Sequence, residues 1–407
     1  MTPSELPPPV VVQERRAMER LLAELERESE IAVDTEANSF FNFHERVCLV
    51  QMTVGRTDYL IDPLANVDLE PLGRVFADST KLKVFHDGEY DILMLKRGFR
   101  FEFKQLFDTR VAAAALGEPN PGLATVLKNR FGVELDKSLQ RSNWAARPLT
   151  EQQLAYARLD THFLIPLMHA QREELASMRR AMIVEGECAR LEQLVPPPTE
   201  FSPDEYVRLK GARALDPDGQ QAMRELFVLR HEAADAADLP PFKILNNEVL
   251  IEIARRRPRS LRELSQVPGF SPRQARKLGD QVLAALAHAK ELGPLRRPPT
   301  LPAKDGTSGL SDADFELHER LKLWRTDRAK REGFDASLVI NRHGLLRLAQ
   351  KQPRTRHELT GVDGIQAWQA EAFGDEIVKL IDETLREFET QGLPRSARRV
   401  IRRGRKA

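Results

Sequence analysis

The sequence predicts an α/β domain followed by two smaller all-helical domains, and three observations support this fold class. Up to about residue 195, short apolar runs typical of strands alternate with longer stretches that have the apolar spacing of helices. Two proline-rich segments, "LVPPPTEFSPDE" (194–205) and "LGPLRRPPTLPAKDGTSGL" (292–310), indicate linkers. The stretches that follow the two linkers are both helical, and each is a copy of the other.

The first domain, residues 1–195, contains the alternating elements. Its predicted strands are Val10–Gln13, Ile31–Val33, Val47–Val54, Asp58–Ile61, Leu82–Phe85 and a short strand near Leu106. Its predicted helices are Glu14–Glu28, Leu69–Phe76, Glu89–Arg97 and Thr109–Leu116. From Leu123 to about Glu192 the apolar spacing predicts helix throughout. We therefore expect helices packed on a mixed sheet.

The second and third domains, residues 205–291 and 311–390, form an internal repeat. Residues 226–280 recur 95 positions later without a gap. Matched pairs include Arg230 and Arg325, Asn246 and Asn341, Gly269 and Gly364, and Asp280 and Asp375. Both copies carry a capping-box pattern that predicts a helix start, at Ser260–Glu263 and Thr355–Glu358. Neither copy contains a cluster of acids, His or Cys, so we expect binding or scaffold modules.

The composition of the 407-residue chain describes an ordinary globular protein, with 41% hydrophobic and 30% charged residues. The formal net charge is +1, so any field that attracts nucleic acid has to be local. Such regions are the run Arg255–Arg257 with Arg259, for which a solvated face is the alternative, and the basic tail, residues 391–407. Two cysteines, no signal peptide and no membrane-length apolar run predict a cytoplasmic protein without a membrane partner.

Pairs of acidic residues stand at the ends of apolar elements in the first domain. In "IAVDTEANSF" (31–40), Asp34 and Glu36 lie two apart on a strand and therefore face the same side. The strand in "KVFHDGEYDILML" (83–95) also ends in acids, among them Asp91. In "YARLDTHFLIPL" (156–167), Tyr156 and Asp160 share one helix face. Clustered carboxylates require a cation between them, and all-oxygen ligands suit two Mg²⁺ or Mn²⁺ ions.

The order of these motifs resembles the DEDDy family of 3′–5′ exonucleases, which have a ribonuclease H-like fold. Within that family, "RVCLVQM" (46–52), "FDTRVAAAALG" (107–117) and "LDKSLQRSNWAARPLTEQQLAYARLD" (135–160) look like the bacterial ribonuclease D group. The duplicated helical blocks resemble the HRDC domains that follow the nuclease domain in that group. The resemblance extends over about residues 10 to 390.

The resemblance implies specific roles for individual residues. It implies that Asp34, Glu36, Asp91 and Asp160 bind the metal ions and that Tyr156 positions the attacking water. Asp91 is preferred over its acidic neighbours because it lies five residues after His86, as in the family's second motif. Substrate contacts are expected from Lys137, Arg141, Trp144 and Arg147. For Trp144 and Arg147, a structural role is an equally open alternative.

The function implied is a metal-dependent 3′–5′ exoribonuclease that releases 5′-mononucleotides and needs no small-molecule cofactor. The expected substrates are the 3′ trailers of tRNA precursors and other small structured RNAs. One alternative is a DNA exonuclease of the same catalytic class, since the four acids do not distinguish the sugar. The other is a catalytically silent scaffold that binds nucleic acid.

Overall fold

The structure, a computed structural model, describes residues 6–198, 200–301, 307 and 310–393. These residues form two compact units. One unit combines the described residues of 1–37, 46–196 and 304–406, so the second helical repeat packs with the α/β domain. The other unit combines residues 38–45 with the first repeat, within 197–303. The sequence boundaries predicted above remain predictions, and tail residues 394–407 lie outside the described residues.

The α/β domain is built on a six-stranded mixed sheet, as predicted. Its strands are β1 (Val10–Val12), β2 (Glu30–Ala37), β3 (Val47–Val54), β4 (Thr57–Ile61), β5 (Leu82–Phe85) and β6 (Leu106–Asp108). The strand order is β1-β4-β3-β2-β5-β6, with β3 antiparallel to both of its neighbours and the other pairs parallel. Strands β2 and β3 occupy the centre of the sheet, and β3 is buried along its whole length.

Eight helices belong to the described part of the α/β domain. They are α1 (Arg15–Arg27), α2 (Glu70–Ala77), α3 (Glu89–Phe99), α4 (Thr109–Ala115), α5 (Leu123–Phe131), α6 (Glu151–His162), α7 (Leu164–Ser177) and α8 (Ala181–Glu192). The prediction of continuous helix from Leu123 to Glu192 is wrong for residues 132–150, which are irregular. Gly132 ends α5 with φ at +68°, a backbone region that favours glycine. Helix α6 then begins anew with a capping box between Thr150 and Gln153.

The two repeats have the same succession of helices. In the first repeat these are α9 (Pro217–Ala237), α10 (Pro241–Ile244), α11 (Asn247–Arg256), α12 (Leu261–Leu264) and α13 (Pro272–Leu292), preceded by short 3₁₀ turns. In the second they are α14 (Asp312–Glu332), α15 (Ala336–Val339), α16 (Arg342–Lys351), α17 (Arg356–Thr360) and α18 (Ala367–Gln391). None of the helices in the described ranges has the length and apolar character that crossing a membrane requires.

The predicted helix starts at Ser260 and Thr355 are confirmed, with one difference in the hydrogen bonding. The two hydroxyls accept the backbone N–H groups of Glu263 and Glu358. The glutamate carboxylates, however, accept the N–H groups of Arg259 and Arg354, one residue before each cap. The carboxylate therefore binds the chain that enters the helix instead of closing the reciprocal box.

The second repeat packs against the α/β domain through α8 and the turn that precedes it. The Arg180 guanidinium donates to the backbone carbonyls of Ala115 and Glu332, and it lies 5.2 Å from the centroid of the Phe334 ring. Trp368 packs against Gly186 so closely that a Cβ atom at that glycine would lie 2.7 Å from the indole nitrogen. This contact requires glycine on α8, because any side chain would collide with the indole.

Candidate active site

Asp34 and Glu36 lie within strand β2, not beyond its end. The strand extends four residues past the predicted Val33 because β3 continues to pair with it: Asp34 is opposite Gln51, and Glu36 is opposite Leu49. A register shift between Glu36 and Ala37 ends this regular pairing. Both acidic residues keep part of their surface exposed, while Thr35 between them is buried. The regular strand thus presents the two carboxylates on one face.

Asp91 reaches this strand from the first turn of α3. On the side of β5, pairing with β2 ends at Ala32 opposite Val84. Beyond that point the Thr35 backbone N–H donates to Asp91 Oδ1 over 3.1 Å, and the Thr35 hydroxyl donates to the same oxygen. Asp91 is 7% exposed. The helix N-terminus also favours a negative charge there.

Tyr156 and Asp160 lie one turn apart on α6, which packs on β2, β3 and β4. The helix is anchored from its other side by Arg158, whose Nε donates to the buried Asp58 carboxylate over 2.9 Å. Asp58 also contacts the imidazole of His162 and the hydroxyl of Thr53. Arg158 is therefore the ion-pair partner of Asp58, and the Asp160 carboxylate remains available for the site.

The four acids act on one another electrostatically. Burial and then the charges of Asp91, Asp160 and Glu36 raise the pKa of Asp34 well above its usual range. Burial, followed by Asp160 and Asp91, raises the pKa of Glu36 to about 9. Burial and Asp91 raise the pKa of Asp160 to about 7, and burial raises that of Asp91 to about 6. The structure thus brings together carboxylates whose combined negative charge is unfavourable without a cation.

These carboxylates provide the ligand chemistry of a hard divalent cation, since all donors are oxygen atoms. Among the described residues, no three Asp, Glu, His or Cys side chains already surround a common point as a metal ion would require. Asp91 accepts a hydrogen bond from the Thr35 hydroxyl. The donor set and its electrostatics fit Mg²⁺ or Mn²⁺.

A cavity of about 490 Å³ lies beside Tyr156 and Asp160. Its apolar lining comes from Leu135, Leu139, Ala155 and Leu159, and the Asp136 side chain also lines it. Leu135 and Leu139 belong to the irregular segment 132–150, which the sequence patterns assigned to a helix. Because it is not helical, this segment can form the wall of a cavity next to the acids.

The four residues expected to contact substrate divide into two pairs. Lys137 and Arg141 are exposed on segment 132–150. Trp144 is 1% exposed, and its ring centroid lies 5.9 Å from that of Tyr156. Arg147 binds the Asp62 carboxylate at 2.6 Å through two nitrogen atoms.

Arg147 also donates to the backbone carbonyls of Cys48, Trp144 and Ala146. All five N–H donors of its guanidinium are engaged in these bonds, so none is left for a phosphate. The buried Trp144 has no free face for a base. We therefore retain the substrate prediction for Lys137 and Arg141, and we assign Trp144 and Arg147 to the support of Tyr156 and of the segment around it.

Three supporting interactions were not foreseen from the sequence. They are the bonds from Thr35 to Asp91, the Asp58–Arg158 ion pair, and the buried carboxylate of Asp108. Asp108 accepts the N–H groups of Asp87 and Gly88 just before α3, and also two N–H groups at the start of α4. In the sequence, only one feature could have identified Asp108: like the candidate site acids, it stands at the end of an apolar strand, in "LFDT".

Comparisons with known proteins match this organisation. A family model described as a 3′–5′ exonuclease matches residues 9–176, and one for the HRDC domain matches residues 220–286 and 314–381. Ribonuclease D of Desulfotalea psychrophila is 28% identical over 79% of this chain and 85% of its own length. Ribonuclease D of Acidiphilium cryptum is 29% identical over 93% and 95%, respectively. The chain is a 3′–5′ exoribonuclease of the ribonuclease D type.

A solved structure supports the same conclusion over nearly the whole chain. The crystal structure of Escherichia coli RNase D, an exoribonuclease involved in structured RNA processing, matches with a TM-score of 0.65 at 25% identity. The match covers 92% of this chain and 99% of that one. The fold class and the ribonuclease D resemblance predicted from the sequence are confirmed. The roles of individual residues remain predictions.

Proposed function

We propose that this chain is a metal-dependent exoribonuclease that removes single nucleotides from RNA 3′ ends as 5′-monophosphates. Its substrates are tRNA precursors and other small structured RNAs with unpaired 3′ trailers. The observation that supports this proposal is the electrostatic cluster of Asp34, Glu36, Asp91 and Asp160 beside a hydroxyl and an open cavity. When bound to these carboxylates, two Mg²⁺ or Mn²⁺ ions supply Lewis-acid stabilisation of the attacking and leaving oxygens.

Tyr156 is suited to hold a water molecule, not to take its proton. Burial, followed by the charges of Asp160, Glu36 and Asp34, raises the pKa of the phenol far above its usual range. The side chain therefore remains a neutral phenol, which can donate one hydrogen bond and accept another. The packing of its ring against Trp144 limits how far the hydroxyl can move. We accordingly assign Tyr156 a positioning role for the attacking water.

The cavity beside Tyr156 supports removal of one nucleotide at a time. At about 490 Å³ it falls within the range of pockets that enclose a single small ligand. A splayed-out terminal nucleotide fits such a space, whereas a base pair does not. The leucine lining suits the base, and the exposed Lys137 and Arg141 suit the phosphates that precede it. Digestion is then expected to stop where a trailer meets the paired body of the RNA.

The test is digestion of a tRNA with a labelled 3′ extension, resolved nucleotide by nucleotide in Mg²⁺. We expect a ladder that shortens from the 3′ end, the release of 5′-mononucleotides and an end point near the mature terminus. EDTA should stop the reaction, and Mg²⁺ or Mn²⁺ should restore it. Matched RNA and DNA oligonucleotides of one sequence test the sugar preference; faster digestion of DNA would contradict the proposal.

Site variants connect the activity to the acids. Asp34→Asn and Asp160→Asn should each abolish hydrolysis, because each replaces a negatively charged metal ligand with a neutral side chain of the same shape. The matched control is Asp280→Asn, an exposed carboxylate on α13, which should digest RNA like the parent. Near-normal turnover in either site variant would refute the assignment of the site.

A further inference from the structure

A buried glutamine on β3, Gln51, has no hydrogen-bond partner for either end of its side-chain amide within the part of the chain that the structure describes. The residue is 0% exposed. Its position in the sheet is central, opposite Asp34 of β2 on one side and Leu60 of β4 on the other. A buried amide without a partner is unfavourable, so its presence calls for a physical reason.

The side chain of Gln51 lies on the face of the sheet that α6 covers. Two residues further along β3, the Thr53 hydroxyl lies 2.9 Å from the Asp58 carboxylate on β4 and 2.8 Å from the Thr161 hydroxyl on α6. Since every second residue of a strand faces the same side, Gln51 shares this face with Thr53. Residues directly opposite in an antiparallel pair also share a face, and this places Asp34 there as well.

The neighbours of Gln51 on this face leave one polar group that can bind its amide. Leu49 along the strand and Leu60 across it belong to an apolar cluster. Thr53 already contacts Asp58 and Thr161. The remaining neighbour is Asp34, and the Cβ atoms of such opposite residues are about 4.5 to 5.5 Å apart, within reach of a glutamine side chain.

We propose that Gln51 is a positioning residue for Asp34 and that its amide N–H group donates to the Asp34 carboxylate when the acids hold divalent cations. An ionised carboxylate accepts several hydrogen bonds, so Asp34 can bind a cation and Gln51 together. Carboxylates that bind metals are commonly oriented by such outer partners. Thr35 already has this relation to Asp91. The inference rests on the proposed function, because it takes the four acids to be a metal site.

The test compares Gln51→Met with Gln369→Met in the full chain. Methionine has nearly the shape of glutamine but lacks the amide. Gln369 is also 0% exposed and belongs to the same compact unit, but both ends of its amide are bonded. Its Nε2 donates to the Leu338 carbonyl over 3.2 Å, and its Oε1 accepts the N–H group of Gln366 over 2.8 Å. This variant is therefore the matched control.

Two measurements are made without RNA: thermal unfolding in EDTA, and Mn²⁺ affinity from the electron paramagnetic resonance signal of the free ion. In EDTA, Gln51→Met should melt at the temperature of the parent or above it, because it removes an amide without a partner. Gln369→Met loses two hydrogen bonds and should melt roughly 4 to 8 °C lower. Gln51→Met should bind Mn²⁺ roughly 10- to 100-fold more weakly than the parent, whereas the control should bind it equally well.

Three results would overturn the inference. The first is equal Mn²⁺ affinity for the parent and Gln51→Met. The second is a melting temperature of Gln51→Met in EDTA as low as that of the control, because the amide would then have partners in the protein and a structural role. The third is unchanged Mn²⁺ affinity with weaker binding of labelled RNA in EDTA, which would assign the amide to the substrate.

Hydrolysis gives a further readout and separates this inference from the proposed function. Excess Mg²⁺ should restore the rate of Gln51→Met, because the residue acts through Asp34; a rate that stays low at saturating Mg²⁺ would contradict a positioning role. Equal Mn²⁺ affinities with normal hydrolysis by the parent would refute the inference alone. A parent that neither binds Mn²⁺ nor hydrolyses RNA would refute the proposed function and, with it, the inference.

Discussion

The acid cluster should make the metal-free protein less stable as pH rises. The pKa of Asp160 is about 7 in the folded chain, against the usual 3.8, because of burial and the charge of Asp91. Between these two values the folded state holds a proton that the unfolded state has released. The protonated Asp160 therefore makes its full contribution to the stability of the folded state below about pH 4, and this contribution is lost as pH rises through about 7.

The size of this effect follows from the same values. Each pKa unit corresponds to about 1.4 kcal/mol. The ionisation of Asp160 alone therefore lowers the free energy of unfolding by at most about 4 kcal/mol between low and high pH. The side chain keeps contact with solvent, and halving the figure for screening leaves about 2 kcal/mol. For a unit of this size, that corresponds to roughly 4 to 8 °C in the melting temperature.

The assay is thermal unfolding in EDTA at pH 4 and pH 8 for the parent, Asp160→Asn and the exposed control Asp280→Asn. The parent and the control should lose roughly 4 to 8 °C more than Asp160→Asn over this interval, since the amide cannot ionise. Adding Mg²⁺ at pH 8 should raise the melting temperature of the parent, because the ions bind only the folded cluster. If parent and Asp160→Asn respond alike to pH, the electrostatic reasoning is wrong.

Three further predictions concern the residues around the acids. Tyr156→Phe should slow hydrolysis by roughly 10- to 1,000-fold while RNA affinity in EDTA stays unchanged; full activity would leave Tyr156 a packing residue. Thr35→Val removes the hydroxyl that orients Asp91, so the Mg²⁺ concentration for half-maximal activity should rise roughly 10- to 100-fold, and excess Mg²⁺ should rescue the rate. Arg158→Met takes the guanidinium from the buried Asp58, which keeps its contacts with Thr53 and the His162 imidazole, and should lower the free energy of unfolding by about 3 kcal/mol in urea. Adding Asp58→Asn should restore much of that loss, and no rescue would contradict this account.

The sequence alone determined those features that depend on spacing within one element. The two-residue period of a strand places Asp34 and Glu36 on one face, and the helical period does the same for Tyr156 and Asp160. The 95-residue repeat and its helix starts could also be recognised from the sequence, because capping patterns and apolar spacing depend only on residues that are close together in the chain. With the family resemblance, this was enough to predict the fold class and to select the candidate acids.

Only the tertiary structure decided which elements meet and which side chains remain free. Trp144 and Arg147 are residue types that often contact nucleic acids. In the structure, however, Trp144 is buried against Tyr156, and the guanidinium of Arg147 is fully hydrogen-bonded to Asp62 and backbone carbonyls. Spacing along the chain sets the direction of a side chain within its own element. Its partners lie on elements distant in sequence, and only their packing determines whether a charge is neutralised or left available for a ligand.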